Sequence, residues 1–228
     1  MFKLYLQKSY KFSNTIVRDI RQEFKYLKDN SITVTDKTGV KMLEIISACF
    51  IADEPTIFGT VNIDYVRREL DWYKSMSLNV NDIPEGPPKI WKQVATKDGL
   101  INSNYGWCIW SSENKNQYNH VMRELQTNPH SRRAIMIYTR PNMWNDYNAD
   151  GMSDFMCTNT VQYVLRDSVL SAIVQMRSND VIYGYKNDYA WQSYVLDMLC
   201  NDTGNSRGDI HWNAGSLHIY EHNFNLVK

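Results

Sequence analysis

Apolar residues recur along this chain with two distinct periods. In residues 14–28, Ile16, Val17, Ile20, Phe24 and Leu27 fall at helical spacing opposite a polar face, which predicts an amphipathic helix. Residues 31–38 are polar and turn-like, ending in Asp36-Lys37-Thr38-Gly39. The mostly apolar run from Met42 to Ile51 predicts a buried strand. Asp64 is a candidate cap for a helix carrying Val66, Glu69, Leu70 and Tyr73. Pro84, Gly86, Pro87 and Pro88 mark a loop too short to link domains. A further amphipathic helix is predicted from Glu113 to Gln126, ended by Asn128-Pro129. Arg133 to Thr139 reads as a strand and residues 140–152 as a polar loop. Asp188 to Leu199 reads as a helix with Trp191, Val195 and Leu199 on one face. Residues 201–209 read as a loop, and a last strand covers about 214–220. No internal repeat is visible. Strands and helices intermix without strict βαβ alternation, which predicts an α+β fold, a sheet with packed helices.

Alternation is densest between Ser153 and Tyr189. Residues 157–165 and 169–176 are rich in Val, Leu, Ile, Thr and Tyr, and Arg166-Asp167-Ser168 between them is a turn signal. These are the arms of a predicted β-hairpin. With Asp167-Ser168 as the loop, Arg166 faces Val169, and counting outward sets Cys157 opposite Ser178 with Arg177 beside it. A cation next to a thiol favours thiolate, the nucleophilic form. Asp188 then opens the next helical pattern, so a thiol, a guanidinium and a carboxylate converge. Each also has an ordinary reading. Cys157 suits a buried strand, Arg177 a strand end, Asp188 a helix N-cap and Glu69 the surface of its helix.

Composition narrows the field. The 228 residues suit a single domain spanning 1–228, and 43% hydrophobic content supports a sizeable core. A formal net charge of +0 argues against a general nucleic-acid or membrane-surface binder, so basic residues must act locally. The 4 cysteines (Cys49, Cys108, Cys157, Cys200) form no CxxC pair and no dense disulfide pattern, which points to a reducing, cytoplasmic setting. The opening MFKLYLQKSYKF has no apolar core long enough for a signal peptide, and no apolar run approaches the roughly 20 residues that span a bilayer. The 7 Trp and 15 Tyr exceed what packing alone usually calls for.

Some local patterns suggest other chemistry. Asp146, Asn148, Asp150 and Gly151 match the start of an EF-hand loop, but Cys157 stands where the bidentate Glu belongs and the flanks are strand-like. His218-Ile-Tyr-Glu-His222 matches a zinc peptidase pattern, but that pattern needs a helix, and this stretch reads as a strand. No metal is therefore expected. Arg132-Arg133 alone reads as a solvated strand start.

Longer motifs carry a resemblance. They are DKTGVK at 36–41, RELDWYKS at 68–75, PKIWKQVA at 88–95, NSNYGWCIW at 102–110 and SRRAIMIYTRP at 131–141. DGMSDFMCTNTVQY at 150–163, MRSNDVIYGYKNDYAWQ at 176–192 and GSLHIY at 215–220 follow in order. Through these the chain resembles the thymidylate synthase superfamily, most closely its phage-type branch, the deoxycytidylate hydroxymethylases. The resemblance runs from about Asp36 to Phe224. It implies a large mixed sheet with packed helices and a homodimer paired sheet to sheet, in which each active site borrows arginines from its partner. It also implies 5,10-methylenetetrahydrofolate as co-substrate and a nucleoside monophosphate as substrate. Phage relatives act in the host cytoplasm, where other enzymes of nucleotide synthesis are candidate partners.

The resemblance assigns roles to residues. Cys157 is the nucleophile that adds to C6 of the pyrimidine, with Arg177 favouring thiolate. Glu69 organises water and relays protons, joined by Tyr105. Lys37 and Arg177 from one subunit, and Arg132 and Arg133 from the other, surround the phosphate, and Ser178 adds a hydroxyl donor. Lys37 stands where the synthases commonly carry arginine. His218 and Tyr220 bind the sugar 3′-hydroxyl. Trp91 and Gly184 line the folate site and Asp180 binds its pterin, a flat group that suits the surplus of tryptophan.

Asp188 matches a position where thymidylate synthases carry asparagine. An amide complements uracil, whereas a carboxylate accepts from cytosine N4–H and shares a proton with N3. This favours dCMP over dUMP. The chain stops at Lys228, soon after the His218–Tyr220 motif, where many members continue into residues that close the site over folate. A hydroxymethylase tolerates water better than a synthase, since water is its reactant. The alternatives are a related enzyme acting on dUMP or CMP, and a nucleotide-binding relative without turnover.

Overall fold

A computed structural model of the chain describes residues 15–228. The signal-peptide expectation concerns residues 1–12 and lies outside them. Helix α1 (Val17–Asp29) buries Val17, Ile20, Phe24 and Leu27, the stripe its spacing predicts. A short strand β1 (Val34–Thr35) then pairs antiparallel with β2 (Lys41–Ile51). The Asp36 carboxylate closes the turn between them, accepting from the amides of Thr38 at 2.7 Å and Val40 at 3.0 Å. Lys37 is thereby held in an exposed turn.

Strand β2 is less buried than its apolar run predicts. Leu43, Ala48 and Phe50 enter the core, but Ile46 is 67% exposed. An antiparallel pair can cover one face and leave the other open. Helix α2 (Ile63–Ser75) is capped by Asn62 rather than Asp64: the Asn62 side chain accepts from Tyr65 N at 3.0 Å, and Asp64 lies in the first turn. Short helices α3 (Lys89–Val94) and α4 (Tyr105–Trp110) follow. Helix α5 (Gln117–Thr127) begins later than predicted because Asn116 caps it. Strand β3 is confined to Ile135–Ile137, and helix α6 (Met143–Asp146) interrupts the predicted loop.

The hairpin is formed by β4 (Thr158–Arg166) and β5 (Val169–Asp180). Asp167 and Ser168 both take positive φ, 50° and 61°, as a two-residue loop of this hand requires, and Arg166 faces Val169 as predicted. Farther out, the register differs. A bulge between Thr158 and Thr160 adds Asn159 to one strand, so Arg177 rather than Ser178 stands across from Cys157. The Arg177 amide donates to the Cys157 carbonyl at 2.8 Å, and Ser178 pairs instead with Ser216 on the next strand. The bulge also serves β3, since the Asn159 carbonyl accepts from Tyr138 N at 2.9 Å.

Helix α7 (Gly184–Thr203) is longer than predicted and carries the chain to β6 (Ser206–Tyr220). Strand β6 starts well before position 214 because its polar residues pair at the solvated end of the sheet. The sheet order is β1-β2-β6-β5-β4-β3, antiparallel except for the β5–β6 pair that α7 bridges. Trp72, Trp191 and Trp212 are fully buried. Tyr73 stacks on Tyr105 at 5.2 Å between centroids, and Trp191 meets Tyr73 edge-on at 5.1 Å. Three of the 7 tryptophans are thus spent in the core. Helix α4 reaches α2 through Gly106, where a Cβ would lie 1.8 Å from the Tyr73 carbonyl oxygen.

Candidate active site

Cys157 sits at the mouth of the hairpin, just before the bulge, and is half-buried. Arg177 reaches back across the pair. Its Nε donates to the Met156 carbonyl at 2.9 Å and its Nη2 to the Phe155 carbonyl at 2.5 Å, with the Cys157 Sγ 3.8 Å from Nη2. The guanidinium is therefore clamped by the backbone that carries the thiol. It does not make the thiol a resting thiolate. Burial pushes Cys157 up to about 12, Arg177 opposes this, and Asp188 and Asp154 add to it. Asp154 anchors the approach to Cys157 by accepting from the Asn102 and Ser103 amides at 2.8 and 2.9 Å and from the Ser103 hydroxyl at 2.7 Å.

Asp188 is the fifth residue of α7, so it does not cap that helix. Its carboxyl is fixed from both sides. Tyr105 donates its hydroxyl to Oδ1 at 2.9 Å, and Asn179 donates Nδ2 to Oδ2 at 2.7 Å. The Tyr105 oxygen itself accepts from Thr158 Oγ1 at 3.0 Å. Burial raises Asp188 to about 7, Glu69 adds to the rise, and the bonds from Tyr105 and Asn179 oppose it. The group thus exchanges its proton near neutrality.

Glu69 is buried on α2, inward rather than at the surface. Its Oε1 accepts from Tyr65 OH at 2.6 Å and from Trp91 Nε1 at 3.1 Å, and Trp91 Nε1 also reaches Tyr65 OH at 2.9 Å. Burial raises its pKa while those bonds lower it.

The other expected residues fall into groups. His218 pairs with Asp180 across β6 and β5 and meets the Tyr220 ring edge-on at 5.2 Å. Asp180 holds the turn into α7 by accepting from the Ile182 and Tyr183 amides at 2.8 and 2.6 Å. Gly184 starts α7, where a Cβ would come within 3.1 Å of Asn179 Nδ2. Lys37 Nζ donates to Tyr147 OH at 3.1 Å. Arg132 and Arg133 stand apart. They precede β3, whose Ile135 pairs with Gln162, and along β4 that is roughly 17 Å from Cys157 at about 3.3 Å per residue. Arg133 instead pairs with Glu124 at 3.0 Å and is largely exposed.

The thymidylate synthase family model matches residues 21–228. The chain belongs to the thymidylate synthase family. It is 58% identical over 218 residues to a deoxycytidylate 5-hydroxymethyltransferase of Enterobacteria phage T4, covering 92% of this chain and 89% of the relative. A protein of the same name from Enterobacteria phage T6 is 57% identical over the same shares. A thymidylate synthase of Francisella philomiragia is 28% identical over 227 residues, covering 93% of this chain and 83% of the relative.

In this thymidylate synthase family member, sequence reasoning missed Asn179, Thr158 and Tyr65, which touch Asp188, Tyr105 and Glu69. Asn179 and Thr158 flank residues already singled out, and Tyr65 lies one helical turn before Glu69, so spacing was an available signal. The His218–His222 run is not helical: His218 is in β6 and His222 in the 3₁₀ turn Glu221–Leu226. The residues after Asp146 lead through a 3₁₀ turn at Ala149–Gly151 into extended chain and β4, with no exiting EF-hand helix.

Proposed function

We propose that this chain is a deoxycytidylate 5-hydroxymethyltransferase, making 5-hydroxymethyl-dCMP and tetrahydrofolate from dCMP, 5,10-methylenetetrahydrofolate and water. The observation that carries this reading is Asp188, a carboxyl fixed on both oxygens and raised to about 7. A carboxylate accepts from cytosine N4–H and shares a single proton with N3, whereas the same carboxylate facing uracil O4 sets acceptor against acceptor. The phage relatives named deoxycytidylate 5-hydroxymethyltransferase support the same substrate.

Cys157 Sγ adds to C6, which turns C5 into a carbon nucleophile. Its thiol is pushed up to about 12, so the proton leaves as the nucleotide engages rather than beforehand. Asp188, sharing a proton with N3, draws electrons from the ring and makes C6 more electrophilic. When bound, the folate supplies a one-carbon unit at the oxidation level of formaldehyde. The C5 proton would pass through water held by Glu69 to the departing folate amine, and a second water placed by Glu69 would add to the exocyclic carbon before Cys157 leaves and regains its proton. Tyr105 orients Asp188 through its hydroxyl. Trp91 with Asp180 and Gly184 fits the folate: Ile90 and Tyr183 beside them are 58% and 59% exposed, apolar surfaces suited to a flat heterocycle.

Lys37, Arg177 and Ser178 take the phosphate, and His218 and Tyr220 take the sugar 3′-hydroxyl. Arg132 and Arg133 serve the partner's phosphate in a homodimer paired through the open sheet face. That face exposes Ile46, Ile135 and Ile137, and holds a groove of about 500 Å³ lined by Ser47, Asn159, Gln175 and Asn213. No helix among the described residues is long and apolar enough to cross a membrane. The working place is the cytoplasm, that of a bacterial host if the chain is phage-encoded, beside other enzymes of nucleotide synthesis. Mass spectrometry of dCMP incubated with the protein and methylenetetrahydrofolate tests the reading. A gain of one CH₂O unit is expected, with CMP and dUMP run beside it, and unchanged dCMP overturns the proposal.

A further inference from the structure

We infer that Glu44 and Ser216 form a relay that fixes the tautomer of His218 and so makes the site demand a hydrogen-bond donor at the 3′ position of the nucleotide. The inference rests on the reading of His218 as a sugar ligand. It begins with strand register. Antiparallel pairing of β2 and β6 sets Glu44 opposite His218 and Ile46 opposite Ser216. Paired residues share a face of the sheet, and so do residues i and i+2 of one strand. Glu44, Ser216 and His218 therefore lie on one face. Strand β5 adds Ser178 opposite Ser216 and Asp180 opposite His218 on the same side.

The side chains are in contact. Ser216 Oγ is hydrogen-bonded to Glu44 Oε1, and His218 Nδ1 lies 3.3 Å from the same Oγ. A serine has one hydroxyl hydrogen, and an ionised carboxylate can only accept. The charge-assisted bond is the stronger of the two, so that hydrogen points at Glu44. The serine oxygen then offers His218 only lone pairs, and Nδ1 must carry the hydrogen. In a neutral imidazole this leaves Nε2 bare, as an acceptor. The ring is buried, 7% exposed, and braced edge-on by Tyr220, so it cannot turn freely to exchange its nitrogens. Asp180 on β5 and Glu44 on β2 are the carboxylates facing it from the adjacent strands.

A bare Nε2 accepts from a free 3′-hydroxyl. It meets a 3′-fluoro group, or the ester oxygen of a 3′-phosphate, as acceptor against acceptor. Buried polar groups left unpaired in this way are what allow strong discrimination. The relay thus selects mononucleotides with an unesterified 3′ end and rejects a nucleotide inside a polynucleotide strand.

Two measurements on the full-length protein test it. The first compares kcat/KM for dCMP, its 3′-amino analogue and its 3′-fluoro-2′,3′-dideoxy analogue. The wild type should accept the amino compound, which can donate, and discriminate against the fluoro compound. Ser216→Ala releases the imidazole, so the dCMP-to-fluoro ratio should fall about tenfold, mainly through KM, while Ser216→Thr keeps the ratio. An unchanged ratio in a folded, active Ser216→Ala variant overturns the relay. The second is the ¹⁵N NMR signature of His218 in the unliganded wild type, which needs neither turnover nor a variant. A ring protonated on Nδ1 supports the relay, and one protonated on Nε2 alone overturns it. If dCMP is not turned over at all, the proposed function fails, and the NMR measurement still decides the relay.

Discussion

At Asp188 the chemistry of one side chain decides between pyrimidines. Asn179 and Tyr105 occupy its outer lone pairs, which leaves the rest to read the base edge. Asp188→Asn reverses part of that polarity at almost constant volume. The ratio of dCMP to dUMP turnover should drop by about two orders of magnitude, measured with both nucleotides under identical folate. A cap explanation for Asp188 would leave the ratio unmoved, but the residue lies inside α7 and caps nothing. The pH dependence follows from its raised pKa. The protonated carboxyl complements neutral dCMP and is present below about 7, so kcat/KM for dCMP should decline as pH rises through about 7. Asp188→Asn has no such proton to lose, and its profile should lack that limb. Stability has the same sign. The folded state holds a proton that the unfolded chain, with an aspartate pKa of about 3.9, has released, so this residue's contribution weakens as pH rises from about 4 to about 7. Urea titrations of both proteins across that range should show the wild type losing ground to the variant.

At the scale of elements, legibility tracked how local the determining force was. The stripe of α1 and the two-residue turn at Asp167-Ser168 were readable because spacing and turn chemistry are local. The bulge at Asn159 was not, because it answers to β3, whose end it binds, and no pattern within the hairpin records that. It moved Cys157 opposite Arg177 and left the thiol and guanidinium joined through backbone carbonyls. Arg177 pulls the Cys157 thiol down as expected, but desolvation outweighs it and depends on the assembled surroundings, which residue identity alone does not give. The early start of β6 was hidden for a similar reason: its first residues are polar, and only pairing with β5 makes them a strand. Close packing between α2 and α4 gives a test at this scale. Gly106→Ala would place a Cβ against the Tyr73 carbonyl, so α4 must back away and carry Tyr105 with it. A loss of about 1–3 kcal/mol in urea unfolding is expected, with kcat for dCMP falling in the fraction that remains folded.

For the whole molecule, the separation of Arg132 and Arg133 from Cys157 along the sheet suits the proposed homodimer with shared sites. If the arginines serve the partner's phosphate, an inactive Arg133→Ala protein and an inactive Cys157→Ser protein should complement when their subunits exchange. Hybrid dimers then hold one site with both lesions and one with neither, so up to half the sites of each hybrid regain activity. Subunit exchange seen by mass spectrometry without recovery of turnover would count against a shared site. The pairing of β2 with β6 also has a kinetic consequence. Ser216 and Glu44 are 172 residues apart, whereas β4 and β5 are joined by a tight turn. Closing a long loop costs more chain entropy than closing a hairpin, and non-local pairing slows folding. The sugar side of the site is therefore a latecomer during refolding. Nucleotide binding, followed by stopped flow after dilution from urea, should lag behind the burial of hairpin tyrosines, and newly made chains pass through an interval in which the nucleophile's hairpin exists but the enzyme cannot yet hold its substrate.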